Sequence, residues 1–171
     1  MTVLVALAFF VLLFIIGLLW ILVPALYGLP SRPTKINRIR TALQLANLKA
    51  GEILYDLGAG DGRVLLVAAK EFDAQAVGIE VGPVQCALIW LRCVASGLGT
   101  KIQIKWGNFF KANLSQADVM YIYATSTEVT KLAPYLEKQM KPGARIVSIS
   151  ADFPEWEPQL VNEESLIFLY E

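Results

Sequence analysis

Between Ile53 and Val64 the chain reads Ile-Leu-Tyr-Asp-Leu-Gly-Ala-Gly-Asp-Gly-Arg-Val. An apolar strand pattern runs into Gly58-Ala59-Gly60-Asp61-Gly62, and a helical pattern leaves it. A turn of this kind brings backbone N–H groups and a helix N-terminus to the carboxyl edge of a parallel sheet, where the ligands of such sheets bind. It also permits tight strand-to-helix packing with no ligand at all. The residues that follow separate the two uses.

Dinucleotide folds carry their third glycine five residues after the first, so that a pyrophosphate rests on the helix end. Here Gly62 comes four residues after Gly58. Asp56, at the strand tip, would repel a pyrophosphate and suits a ligand with a cationic ammonium and sulfonium, namely S-adenosylmethionine. The next strand pattern, Gln75 to Glu80, ends in an acid about twenty residues after the turn, where a carboxylate accepts the two hydroxyls of a ribose. A solvated strand-end acid is the plain alternative for Glu80. A third strand pattern, Lys101 to Trp106, leads into Gly107-Asn108-Phe109-Phe110. Asn108 offers an amide to an adenine edge and Phe109 a ring to its face. Three strand ends are thereby expected to converge on one ligand.

The rest of the soluble part alternates. Helices are expected at about 62–72, 83–97 and 127–140, and strands at about 52–57, 75–80, 101–106, 117–123 and 144–150. Alternation of this kind specifies an α/β fold with a Rossmann-like, doubly wound, mostly parallel sheet. Gln159 to Asn162 and Ser165 to Tyr170 add an antiparallel hairpin at one edge. A helix with Ile36, Ile39, Leu43 and Ala46 on one face precedes the first strand, with Thr34 as its expected N-cap.

Hydropathy is uneven along the chain. Val3 to Val23 is an unbroken apolar run with Gly17 inside it, long enough to cross a bilayer as a helix. It lacks the basic start, short apolar region and small-residue cleavage site of a secretory signal, so a retained anchor is expected, with Trp20 and Tyr27 at the interface. Arg32, Lys35, Arg38 and Arg40 follow it, which by the positive-inside tendency predicts a single-pass cell-membrane protein with a cytoplasmic domain. The expected division is 1–28 for the transmembrane anchor and 29–171 for the domain, joined by the proline-stiffened Leu29 to Thr34.

Fifteen basic side chains balance fifteen acidic ones, so charge gives no reason to expect a nucleic-acid partner. There is no histidine, which removes a histidine base and makes a metal site unexpected. Cys86 and Cys93, on one face of a helix, are expected as core packing rather than a disulfide.

With the glycine turn, Glu80 and Asn108 in hand, the chain resembles the class I S-adenosylmethionine-dependent methyltransferases. Pro33-Thr34, Tyr55 to Arg63, Ala68-Ala69-Lys70, Val77 to Glu80, Gly107 to Phe110, Leu136-Glu137-Lys138, Lys141-Pro142-Gly143, Val147-Ser148 and Trp156-Glu157-Pro158 carry a narrower likeness. These segments are similar to small archaeal broad-specificity protein lysine methyltransferases and to the mitochondrial enzymes that methylate lysine on the adenine nucleotide translocase and on the c-ring protein of ATP synthase. The resemblance covers about 33–160 and implies cofactor contacts at Thr34, Asp56, Gly58, Gly60, Glu80 and Asn108. It implies a protein substrate that offers a lysine side chain. Its pattern has phenylalanine three residues after Ser148, where this chain has Ala151, so an aromatic wall of the lysine channel is either missing or supplied by Phe153.

Tyr123, Ser148 and Trp156 are the expected channel residues, acting by orientation and by desolvating the amine; ordinary packing is the alternative for Tyr123 and Trp156. The fourth strand lacks the Asn/Asp-Pro-Pro-Tyr/Phe signature of enzymes that methylate bases or glutamine. A methyltransferase for a lipid, quinone or other small molecule, and a non-catalytic cofactor-binding module, remain the alternative readings.

Overall fold

The computed structural model describes residues 2–26 and 33–171. Tyr27 and the Leu29 to Arg32 part of the linker lie outside them, as does the boundary between anchor and domain. The first element is α1 (Thr2–Leu26), followed by α2 (Ile36–Leu45). Five strands and three helices then follow, β1 (Ile53–Leu57), α3 (Arg63–Glu71), β2 (Gln75–Glu80), α4 (Pro83–Ala95), β3 (Ile102–Trp106), β4 (Val119–Tyr123), α5 (Ser126–Gln139) and β5 (Arg145–Ile149). A hairpin, β6 (Leu160–Asn162) and β7 (Ile167–Tyr170), completes the chain.

The strands form one seven-stranded sheet in the order β3-β2-β1-β4-β5-β7-β6. β1 to β5 pair in parallel, whereas β7 runs antiparallel to β5 and β6. The order reverses at β1, so the carboxyl ends of β1 and β4 diverge there and open a crevice, as the topology of doubly wound sheets requires. Alternating side chains divide the core between two faces. Leu54, Ala76, Val119, Tyr121 and Val147 pack towards α2, α3 and α4, while Tyr55, Val77, Met120, Ile122 and Ile146 pack towards α5.

Thr34 does not cap α2. Lys35 holds the N-cap position in an extended conformation with no side-chain cap, while Thr34 is buried and its carbonyl accepts from Arg63 Nη1 at 2.9 Å. That segment is fastened to the glycine turn instead of closing its own helix. Cys93 is buried on the inner face of α4 and Cys86 half-buried, both as free thiols.

Gly62 shows the packing use of the turn. Its φ of 76° is left-handed, and a Cβ there would stand 2.8 Å from Ile89 Cγ2 on α4. We expect Gly62→Ala to cost about 2–5 kcal/mol, the sum of a left-handed alanine and an overpacked contact. Urea unfolding of the full chain in detergent measures it; a midpoint equal to that of the wild type would refute the account.

Candidate active site

A cleft of about 320 Å³ opens at the crevice beside β1 and β4. Thr34, Asp56, Gly58, Gly60, Glu80 and Phe109 line it, as does Tyr123. The sheet register explains part of this convergence. Asp56 pairs with Gly78 on one side and Tyr121 on the other. Gly78 adds no side chain to that face, and none would fit, since a Cβ there would lie 2.6 Å from Leu65 Cδ1.

Glu80 is only 6 % exposed, so it is not a solvated strand-end acid. Its carboxylate accepts from Gly60 N and from Gly82 N, each at 2.8 Å. One oxygen therefore ties the glycine turn and the other ties the start of α4, and each keeps lone-pair capacity for a further donor. Burial raises the Glu80 pKa above the ordinary glutamate range. Asp56 is more extreme. Burial, then the nearby charges of Glu80 and Asp61, push its carboxyl up to about 8. Two buried acids on one cleft make a site that favours a positively charged ligand.

Asp61 plays another part. Arg63 Nη2 reaches its carboxylate at 2.6 Å and Arg92 Nη1 at 3.1 Å, and this pairing holds the Asp61 pKa down against burial. Arg63 also donates to the Thr34 carbonyl, and Arg92 to the Asp61 carbonyl at 2.8 Å. The two arginines clamp the outer side of the turn to the α2 lead-in and to α4.

At the other end of the cleft lie Tyr123, Ala124, Thr125, Ser126, Glu128 and Ser150. Arg38 organises this end from α2. Its guanidinium stands 5.8 Å from the centre of the Tyr123 ring, and it donates to Ser150 Oγ at 2.8 Å and to the Ser165 carbonyl at 2.7 Å. The sequence reading missed Arg38, Ser150, Tyr121 and Gln85. No local pattern announces an arginine that acts on residues more than a hundred positions away.

Three expected site residues stand elsewhere. Asn108 caps the short 3-10 turn after β3, its Oδ1 accepting from Phe110 N at 2.9 Å, and it does not line the cleft. Ser148 is fully buried on β5 and donates to the Ala151 carbonyl. Trp156 stacks on Phe153 at 4.4 Å and donates to Glu137 at 2.9 Å. Phe153 is itself fully buried in that cluster, between Trp156 and Tyr170.

Two buried polar atoms, Tyr121 Oη and Gln85 Oε1, lack a hydrogen-bond partner among the described residues, and both residues line the cleft. Buried polar groups are rarely left so unless something else meets them. At Gly58 a Cβ would meet no protein atom within 4 Å, so the backbone there borders open space. These features fit a polar ligand with amine and hydroxyl groups.

Residues 56–160 match the ANTKMT methyltransferase domain. The chain belongs to the ANTKMT methyltransferase domain family. It is 33 % identical over 148 residues to a protein-lysine N-methyltransferase of Saccharolobus islandicus, spanning 82 % of this chain and 92 % of that protein. It is 28 % identical to the human lysine N-methyltransferase named for the C component of ATP synthase, over 81 % of its own length but only 58 % of the human enzyme's. Among solved structures, an RNA methyltransferase from Salinibacter ruber bound to S-adenosyl-L-homocysteine superposes with a TM-score of 0.79 at 31 % identity, covering 81 % of this chain and 92 % of the other. This ANTKMT-family chain is a class I methyltransferase that uses S-adenosylmethionine, as the glycine turn and strand-end acids predict.

Proposed function

We propose that this protein transfers a methyl group to a lysine side chain of a membrane-associated protein, from a domain tethered by α1 at the cytoplasmic face of a cell membrane. The acid-lined cleft carries the reading: Asp56 and Glu80 are buried in the same cleft as the unpaired Tyr121 and Gln85 atoms, and Arg38 stands by the Tyr123 ring. The names of the Saccharolobus and human relatives support lysine as the acceptor, and the ATP synthase component in the human relative's name supports a membrane-associated target.

In this reading Asp56 pairs with the ligand's ammonium, Glu80 accepts from its ribose hydroxyls, and Thr34, Gly58, Gly60 and Phe109 frame it. When bound, S-adenosylmethionine supplies an electrophilic methyl on sulfur. The protein's own task is to deliver a neutral amine in line with it. A free lysine ionises at about 10.4 and is cationic at neutral pH. Arg38 beside Tyr123 disfavours the protonated amine and Glu128 at the same end offsets it, so partial desolvation within the cleft is what favours the neutral amine. Ser150 Oγ, held by Arg38, and the Tyr123 hydroxyl accept its N–H hydrogens and turn the lone pair inwards, and the lost proton leaves to water. Ser148 and Trp156 act behind this mouth by fixing the turn after β5.

α1 supports the tether. Val3–Val23 has a mean hydropathy of 3.1, and its outward side chains are exposed. The Salinibacter relative's name raises RNA as a rival acceptor. The zero net charge gives that rival no phosphate-binding surplus.

The test is tritiated S-adenosylmethionine with the purified full chain and host membranes. Label recovered as methyl-lysine after protein hydrolysis is the expected result. Label in RNA or in the organic-solvent fraction, with none in methyl-lysine, would replace the reading.

A further inference from the structure

We propose that the outer face of α4 is a bilayer-contact surface, continuous with α1, which seats the domain in the membrane interface. The inference rests on the tethered reading above. Three observations carry it.

The first is a covalent consequence of Pro24. Proline has no N–H, so inside α1 the carbonyl four residues earlier, that of Trp20, is released from the helical ladder. Gln85 Nε2 donates to that carbonyl at 3.0 Å from a fully buried position on α4. α1 therefore docks on α4 at its C-terminal end, and Trp20 and Val23 are half-buried there while most of α1 stays exposed.

The second is the composition of α4. Ala87, Trp90, Leu91 and Val94 recur at helical spacing and point outwards, with Trp90, Leu91 and Val94 each more than half exposed. Arg92 is the one charged residue between Pro83 and Ala95, and Asp61 draws its guanidinium away. An uncharged apolar stripe on the helix that receives α1 is the pattern of an interfacial element rather than of a solvated one.

The third is the neighbouring Trp106, at the end of the edge strand β3. It is 73 % exposed, yet its indole N–H is fixed to the Val81 carbonyl at 2.9 Å, just before α4 begins. Tryptophan with a wet edge and an apolar body favours the headgroup level of a bilayer. The stripe has no lysine cluster, so the contact is aromatic and apolar and does not require anionic lipid.

The occupant is thus lipid. Because Gln85 also lines the cleft, the surface that seats α4 brings the cleft close to the interface, where the lysines that flank a transmembrane helix lie.

The test uses the full chain in nanodiscs of phosphatidylcholine with brominated acyl chains, which quench nearby tryptophan. Trp20→Phe reports the anchor and Trp90→Phe the α4 face; each is expected to remove a quenched component of the emission. In parallel, Leu91→Glu is expected to lower transfer to a disc-embedded peptide bearing one interfacial lysine about tenfold, and to leave transfer to a soluble lysine peptide unchanged. Quenching identical in the wild type and Trp90→Phe would overturn the proposal. So would equal losses on both peptides in a variant whose melting temperature matches the wild type, because Leu91 would then serve transfer without reference to the bilayer. Shielding of Trp90 only after a membrane protein is added would assign the face to protein instead. If the wild type methylates neither peptide while Trp90 remains quenched, the lysine reading fails and the surface stands.

Discussion

Glu80→Ala is expected to weaken S-adenosylmethionine binding by at least about a hundredfold and to abolish methyl transfer. The carboxylate has two jobs that alanine removes together. It accepts from Gly60 and Gly82 at 2.8 Å each, which fixes the glycine turn against the start of α4, and it lines the cleft with acceptor capacity left over. Hydrogen bonds to a charged acceptor are worth about 1.5–3 kcal/mol each, so losing two to the ribose hydroxyls accounts for the loss before any slackening of the turn is counted. Glu80→Gln separates the jobs. Its amide keeps one acceptor oxygen but must present N–H groups to one backbone donor, so the turn and the ribose contact both suffer, at smaller cost. Titration calorimetry of the full chain in detergent measures both variants. Glu80→Ala binding within threefold of wild type would remove the ribose from this site.

The alternation of strands and helices and the class of cofactor were legible because each depends on short-range signals. Alternating apolar strands, a three-glycine turn and two strand-end acids are local patterns, and the parallel sheet converts equal positions along neighbouring strands into proximity. Strand boundaries expected at 52–57 and 117–123 appear as Ile53–Leu57 and Val119–Tyr123. The acceptor end was less legible because it depends on face and on long-range contacts. Ser148 and Ser150 are two residues apart, yet the strand ends at Ile149 and Ser150 takes a left-handed φ of 68°, so Ser150 reaches the cleft while Ser148 stays in the core. Nothing in the local sequence distinguishes them. Arg38 likewise reads as one of four basic residues after the anchor until the hairpin turn and Tyr123 are brought beside it. Thr34 reads as a cap by residue type, but the Arg63 bond to its carbonyl draws it inwards.

In the proposed reading the two ends of the cleft differ in their charged groups. Two buried acids stand at the cofactor end, whereas Arg38 and Glu128 both stand at the acceptor end. A cationic ligand is therefore drawn to the buried acids.

Asp56 makes that preference measurable through pH. In the unfolded chain its carboxyl titrates near 3.8, and in the ligand-free fold burial and its acidic neighbours push it up to about 8. Between these values the folded protein holds a proton that the unfolded chain has lost. The Asp56 contribution to stability is therefore fully present below about pH 4 and is lost as pH rises through 8. A ligand ammonium reverses the preference by stabilising the carboxylate. Binding at pH 7 should then release a proton, and cofactor affinity should climb between pH 6 and 8 and level off above. Calorimetry in two buffers of different ionisation enthalpy counts that proton directly. Asp56→Asn should abolish the release and weaken binding by roughly tenfold to a hundredfold, the worth of one charge-assisted contact. It should also flatten the decline in melting temperature of the ligand-free chain from pH 5 to 9, because asparagine has no proton to lose. An Asn variant that binds as tightly and still releases a proton would move the ammonium site away from Asp56, and Glu80, the other buried acid of the cleft, would be the group that titrates.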